Sequence, residues 1–151
     1  MKFSTREDIE APIGKVYDAV TDFDGFERQM LRRGIDVTRD ENCPPPNIGA
    51  RWQAQVKWRK RQHEVDAELV SVDSGNGYAI ESRGAGIVCL AVVDLVPLSK
   101  GRTRLLVSMD LKPTTLSSRL FIQTLKLTKG TLSRRFKQRV AKFAETISAD
   151  S

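Results

Sequence analysis

Residues 116–147 read LSSRLFIQTLKLTKGTLSRRFKQRVAKFAETI, and the spacing of their apolar residues decides the fold. The side chains that recur near one helical stripe are Phe121, Leu125, Leu132, Phe136, Val140, Phe143 and Ile147. Thr114, Thr115 or Ser117 can cap such a helix at its start. Gly130 costs about 1 kcal/mol relative to alanine and indicates a bend or a close approach to a sheet. Because about 30 helical residues span roughly 45 Å, the pattern predicts one long C-terminal helix.

Alternating apolar and polar residues predict strands before this helix. The predicted strands occupy residues 2–10, 35–39, 52–58, 63–69, 78–83, 87–98 and 105–111. Turn residues at Ser74–Gly77, Gly84–Gly86 and Ser99–Gly101 separate the later strands. The stretch 87–98 is the most apolar, and we expect both of its faces to be covered over part of its length.

Two short helices are predicted between the first and second strands. Residues 13–20 and 26–31 carry apolar side chains at helical spacing, and Asp22 or Asp24 can cap the second helix. Gly34 suits the left-handed conformation that ends a helix. Three prolines within residues 42–49 then predict a loop.

This order of elements predicts an α+β fold. A sheet with one apolar face needs a cover, and the C-terminal helix is the only predicted element long enough to supply it. Hairpin pairing gives a curved antiparallel sheet of about six to seven strands, wrapped around that helix and enclosing a mostly apolar cavity. We predict one domain over residues 1–151, which can bury roughly 70% of the surface its unfolded chain exposes.

The composition shows no signal for export or membrane insertion. Charges begin at Lys2, so no apolar core of a signal peptide is present, and no apolar run approaches the roughly 18 residues of a membrane span. Cys43 and Cys89 lack metal-type and redox-type spacing, which indicates reduced thiols. We predict a cytoplasmic protein without a transmembrane segment, either a monomer or a homodimer.

The net charge of +6 is concentrated in the C-terminal segment. Residues 112–151 contain nine Lys or Arg and two Asp or Glu, whereas the first 111 residues contain 16 and 17. Such an excess suits a nucleic acid or an acidic membrane, although a solvated helix face is the simpler explanation. The residues predicted to form this basic surface are Lys126, Lys129, Arg134 and Lys137.

The opening of the chain adds a local signature. The first strand leads into Ala11-Pro12-Ile13, then into residues 16–22 (VYDAVTD) and residues 23–26 (FDGF). With the element order, this opening resembles that of bacterial members of the helix-grip superfamily, the SRPBCC-type proteins. These include START lipid-transfer domains, polyketide cyclases and pollen-allergen-like proteins. The resemblance covers nearly the whole chain.

The resemblance implies a START-like domain that binds a small hydrophobic molecule between sheet and helix. Lipids, quinones and polyketide-like compounds are the ligand classes it suggests. Some members of the superfamily are cyclases or hydrolases, and one branch acts on ribosome assembly. No catalytic motif common to the superfamily can be carried over to residues of this chain, and the C-terminal helix is more basic than in many relatives.

The predicted ligand-binding residues are aromatic and apolar side chains, which typically line such cavities. They are Trp52, Val56, Trp58, His63, Tyr78, Met109, Phe121 and Leu125. Simple core packing is the alternative interpretation of most of these positions.

The sequence carries little that indicates catalysis. His63 is the one histidine, and it could act as a general base if it faces the cavity. One histidine and two scattered cysteines argue against a metal site, and no nucleophile elbow or phosphate-binding loop is present. We therefore predict no metal, no cofactor and no confident catalytic residue.

Three functions follow from these features. The first is binding or transport of a small hydrophobic molecule, which the lack of a catalytic cluster favours. The second is a cyclase- or hydratase-like enzyme that uses His63. The third is binding of RNA, the ribosome or an anionic membrane through the basic helix. This third function ranks low, and nucleic acid is a disfavoured partner, because that helix lacks interleaved exposed aromatic residues for base stacking.

Overall fold

The computed structural model describes residues 1–58 and 60–149, with the backbone alone at Trp58 and Ala149. Its elements are β1 Lys2–Ile9, α1 Ile13–Val20, α2 Phe23–Arg32, β2 Asp36–Arg39, β3 Arg51–Trp58, β4 Arg61–Asp73, β5 Gly77–Gly84, β6 Ile87–Ser99, β7 Arg102–Pro113, α3 Leu116–Lys126 and α4 Lys129–Ala149. The predicted order of one strand, two short helices, further strands and a C-terminal helical region is confirmed.

The seven strands form one antiparallel sheet in the order β1-β7-β6-β5-β4-β3-β2. Strands β2 to β7 pair with their neighbours in the chain, while β1 pairs with β7 so that Lys2 lies opposite Asp110 and Ile9 opposite Thr103. The β4–β5 register shifts between Leu69 and Ser71, an irregularity of the kind that bends a strand. The predicted curved meander is confirmed.

The two short helices differ in how deeply they are anchored. Helix α1 buries Val16 and Val20, whereas α2 buries only Phe23. The Asp22 carboxylate accepts a hydrogen bond of 3.1 Å from the Gly25 N–H, which caps α2 as predicted. Gly34 follows α2 with a φ of 82°, a conformation that glycine adopts without steric cost.

The C-terminal region is two helices, so the prediction of one unbroken helix over residues 116–147 is wrong. The Thr128 hydroxyl and the Thr128 N–H both donate to the Leu125 carbonyl, at 3.1 and 3.0 Å. These i→i−3 bonds tighten the chain into a turn and end α3 at Lys126. Helix α4 has 21 residues and is therefore roughly 30 Å long.

The core lies between the sheet, α1 and α4. Its buried members are Ile9, Ala11, Val16, Val20, Leu95, Leu105, Ala144 and Ile147. At the other end of β1, the rings of Phe3 and Phe136 pack with centroids 6.1 Å apart. Helix α4 therefore follows the β1–β7 edge of the sheet and leaves the β2–β5 half to α2.

The two faces of β6 are covered to different extents. Helices α1 and α4 both pack on the face that carries Leu95. On the opposite face Val88 and Val92 are half-buried, whereas Leu90, Val96 and Leu98 are exposed.

Candidate functional site

An apolar cavity of about 330 Å³ lies between α2 and strands β2 to β5. Its lining consists of Phe23, Phe26, Glu27, Met30, Ile35, Val37, Trp52, Ala54, Val56, Val65, Ala67, Tyr78, Ile80 and Ser82. The residues from one strand alternate in sequence, because every second side chain points to the same face. Of the described lining residues, only Glu27 and Ser82 are neither aliphatic nor aromatic.

Glu27 holds α2 over this cavity. One of its carboxylate oxygens accepts hydrogen bonds from the Trp52 indole N–H at 2.6 Å and from the Arg39 guanidinium at 2.9 Å. Arg39 also donates to Asp24 at 2.7 Å. Burial opposes the positive charge of Arg39, but these carboxylate contacts outweigh it and raise the pKa of the guanidinium. This carboxylate oxygen of Glu27 is therefore already occupied by partners from β2 and β3.

Tyr78 forms the inner end of the cavity. Its hydroxyl donates a hydrogen bond of 2.6 Å to the Val20 carbonyl, and its ring meets Phe23 edge-on with centroids 5.3 Å apart. Burial, with a smaller contribution from Tyr17, raises the pKa of the Tyr78 phenol. The proton of this phenol is consequently held at neutral pH and is a poor source of acid catalysis.

A second apolar cavity, of about 290 Å³, lies between the sheet and α4. Its lining consists of Val20, Phe26, Tyr78, Val93, Leu105, Val107, Phe136, Arg139, Val140 and Phe143. This is the position under the C-terminal helix that the sequence predicted for the cavity. Phe26 and Tyr78 line both cavities and therefore form the wall that the two share.

Phe26 is central to an aromatic cluster between the two cavities. Its ring packs against Phe143 of α4 with centroids 5.8 Å apart and against Phe23 at 6.3 Å. The ring centroids of Phe23 and Trp52 are in turn 5.4 Å apart. Phe26 is only half-buried, although it borders both cavities.

An open groove of about 1030 Å³ adjoins both cavities on the helical side. Phe26 and Phe143 line it together with Met30. Its charged lining residues are Lys15, Arg33, Arg139, Lys142, Asp18 and Asp22. Cations outnumber carboxylates among them, so the mouth of the cavities combines apolar side chains with a net positive charge.

The structure brings together some of the predicted ligand-binding residues. Trp52, Val56 and Tyr78 line the cavity under α2. The prediction for the Trp58 side chain lies outside the described residues. Lys126, Lys129, Arg134 and Lys137 are exposed along α3 and α4, as expected for a basic surface.

Other predicted residues lie away from both cavities. Met109 faces inward between Phe3 and Ala91, one inward position beyond Val107. Phe121 and Leu125 are half-buried on α3, which covers the far end of the sheet. Side-chain alternation identified the correct face for Met109 but contains no information on how far along the strand the cavity extends.

His63 lies on β4 opposite Val56 and is half-buried. It belongs to neither cavity lining, whereas Val56 and Val65 beside it do. Within residues 1–58 and 60–149, no three His, Cys, Asp or Glu side chains converge as metal ligands would.

The sequence analysis missed Phe23, Phe26 and Met30 as cavity residues. Their spacing of three and four residues places them on one face of α2, and this periodicity was visible in the sequence. The position of α2 over β2 to β5 depends on the contacts of Glu27 with Trp52 and Arg39, which are distant in sequence and carry no local signal.

No family model matches the sequence, and no curated protein matches it. The solved structure of TTHA0849 from Thermus thermophilus matches with a TM-score of 0.68 at 14% identity, covering 100% of this chain and 99% of that one. Truncated norcoclaurine synthase from Thalictrum flavum gives 0.66 at 11% identity, covering 98% and 91%. Ara h 8.0201 gives 0.59 at 13% identity, covering 100% and 99%.

Among the described residues, no helix combines the length and the apolar composition needed to cross a membrane.

The low identities to these solved structures show the fold alone. The seven-stranded antiparallel sheet, the two short helices and the long C-terminal helix match these structures over nearly the whole chain. The protein therefore has the helix-grip fold.

Proposed function

We propose that the protein binds a small hydrophobic molecule in the cavity under α2. The observation that carries this proposal is a space of about 330 Å³ whose described walls are apolar apart from Glu27 and Ser82. Ligand pockets typically measure about 300–1,000 Å³, so this space suits a small ligand. Each Å² of apolar surface that binding removes from water would contribute a favourable free energy of roughly 25 cal/mol, and the ligand would need no new polar partners.

The ligand classes we propose are a lipid, a quinone or a polyketide-like compound. A ligand larger than one cavity can extend past Phe26 into the second cavity under α4. A polar or anionic end would then lie toward the groove that carries Arg139 and Lys142. We further propose that the chain acts as one cytoplasmic START-like domain, as a monomer or a homodimer.

The proposal is tested by filling the cavity. Ala54→Leu and Ala67→Leu each add apolar volume to its wall and should abolish binding of a fluorescent hydrophobic probe such as anilinonaphthalene sulfonate. Ala79→Leu is the matched control, because Ala79 lies on β5 with its side chain on the opposite face of the sheet from Tyr78. Equal probe binding by the filled variants and the control, with all proteins folded, would refute the proposal.

The enzymatic alternative receives less support from the structure. A cyclase- or hydratase-like reaction would need His63 within reach of the substrate, and His63 lines neither cavity. If the protein converts a hydrophobic substrate and His63→Ala abolishes turnover while leaving affinity unchanged, the enzymatic alternative replaces the binding proposal.

The basic C-terminal region favours lipid over RNA as a second partner. Leu116, Leu120 and Leu127 are exposed on the same segment as the cations. Aliphatic side chains insert into lipid but do not stack on bases as aromatic rings do.

A further inference from the structure

Helix α3 exposes a row of leucines to solvent. Leu116, Leu120 and Leu127 have relative exposures of 73%, 57% and 86%. With about 100° between successive residues, these three side chains fall within an arc of about 40° on the helix. Leu127 continues this arc because its backbone keeps a right-handed helical conformation, with φ −67° and ψ −26°. We call Leu116, Leu120 and Leu127 the leucine stripe.

The leucine stripe is not a frayed end displaced from the core. The opposite side of α3 buries Ser118 and Ile122. The helix starts with a capping box in which Thr115 and Ser118 satisfy each other's backbone N–H groups. Both the N–H and the hydroxyl of Thr114 donate to the Gly86 carbonyl at 2.8 Å. These contacts fix the helix with the leucine stripe directed outward.

The charged residues of the segment that carries the leucine stripe are of one sign. From residue 112 to residue 144 the sequence contains nine Lys or Arg and no Asp or Glu. Arg119 and Lys126 lie on the helix beside the stripe, Lys129 follows Leu127 by two residues, and all three are exposed. An outward row of leucines bordered by cations is the pattern of a helix that lies in the surface of an anionic bilayer.

We propose that α3 docks the protein onto anionic membranes, independently of what occupies the cavities. Leu116, Leu120 and Leu127 enter the boundary between head groups and acyl chains, and the neighbouring cations contact the lipid phosphates. A second copy of the chain is a poorer occupant, because pairing two such segments brings their positive charges together.

The docking is tested with full-length protein and vesicles in a sedimentation assay. We expect binding to an equimolar mixture of phosphatidylcholine and phosphatidylglycerol and none to phosphatidylcholine alone, with affinity falling as salt rises. The triple substitution Leu116→Ser, Leu120→Ser and Leu127→Ser should weaken binding by a factor of about ten or more, because each leucine loses its apolar contact. Lys126→Glu combined with Lys129→Glu should also weaken it by a factor of about ten or more.

The matched control is Leu90→Ser, Val96→Ser and Leu98→Ser, which removes three exposed apolar side chains from the outer face of β6. This control should bind anionic vesicles like the unaltered protein. The variant Leu120→Trp should show a shift of tryptophan emission to shorter wavelength when these vesicles are added, which reports insertion even if the triple variant folds poorly.

Several results would overturn the proposal. They are failure of the unaltered protein to bind anionic vesicles at low salt, full binding by the triple leucine variant, and an equal loss of vesicle binding in the β6 control. RNA binding without vesicle binding would assign the basic segment to nucleic acid. If the protein forms a dimer that dissociates in the triple leucine variant, again without vesicle binding, the leucine stripe binds a second copy of the chain.

Discussion

Replacing Phe26 with alanine should join the two apolar cavities. Phe26 lines both the cavity of about 330 Å³ under α2 and the cavity of about 290 Å³ under α4. Truncation at Cβ removes the ring that lies between them, so the joined space should be roughly twice the size of either. Tyr78, the other shared residue, remains in place because its hydroxyl is bonded to the Val20 carbonyl.

The cost in stability should be moderate. Truncating a fully buried phenylalanine costs about 3–5 kcal/mol, but Phe26 is half-buried and already borders empty space on two sides. We expect a loss of about 2 kcal/mol in the free energy of unfolding. For a chain of this size the melting temperature should fall by about 4–8 °C, measured by circular dichroism. The variant should therefore stay folded at room temperature.

Ligand size is the informative measurement. A series of fatty acids of increasing chain length, competing with a fluorescent probe, should show a longer preferred chain for Phe26→Ala than for the unaltered protein. Phe26→Leu is the control, because it keeps most of the bulk and should preserve the original preference. The same preferred length in Phe26→Ala and the unaltered protein would refute the view that this ring divides the binding space.

Three further predictions concern individual side chains. Glu27→Ala should lower the free energy of unfolding by about 1–3 kcal/mol in urea titrations, because it leaves Arg39 partly unpaired, and no loss would show that the carboxylate does not hold α2. Cys89 should be alkylated more slowly in the folded than in the urea-unfolded protein, because burial and, less strongly, a nearby carboxylate raise the pKa of its thiol. Equal alkylation rates of the two states, measured by mass spectrometry, would contradict this prediction. The hydrogen bond from Arg104 lowers the pKa of Asp8 below its usual value of 3.8. The ionised Asp8 therefore stabilises the fold above pH 3.8, and this stabilisation is lost as the pH falls through the lowered pKa. Asp8→Asn should therefore lower the urea midpoint at neutral pH and have little effect at the acid end, and a uniform effect at all pH values would be inconsistent with this linkage.

The order of elements could be predicted because its signals are local. Alternation, turn residues, the Asp22 cap and the Gly34 stop each act within a few residues. The break in the C-terminal helix at Thr128 was not predicted, because the apolar periodicity continues past this residue. Its hydroxyl and N–H instead bond the Leu125 carbonyl, and that choice between two helical hydrogen-bond patterns is not visible in periodicity.

The cavity could be predicted only in part, for a different physical reason. Trp52, Val56 and Tyr78 were identified because strand alternation assigns a side chain to a face. Whether a space on that face is filled depends on which helix covers it. The sequence favoured the longest helix as the cover, but α4 follows the β1–β7 edge and α2 covers the other half of the sheet.

Helix α2 is the more weakly anchored of the two short helices, and we expect a ligand to enter the cavity beneath it. Helix α1 anchors two side chains in the core, whereas α2 anchors only Phe23 and leaves Met30 and Leu31 exposed. The half-buried Phe26 adds a ring contact with Phe143 of α4. Glu27 and Asp24 add polar contacts, which water can replace more cheaply than it can solvate an apolar core. Local opening costs least where few apolar contacts are lost, so α2 can open while the sheet, α1 and α4 stay packed. Because α2 is attached to the sheet largely by polar contacts, we expect it to be the part of the cavity wall that opens most easily.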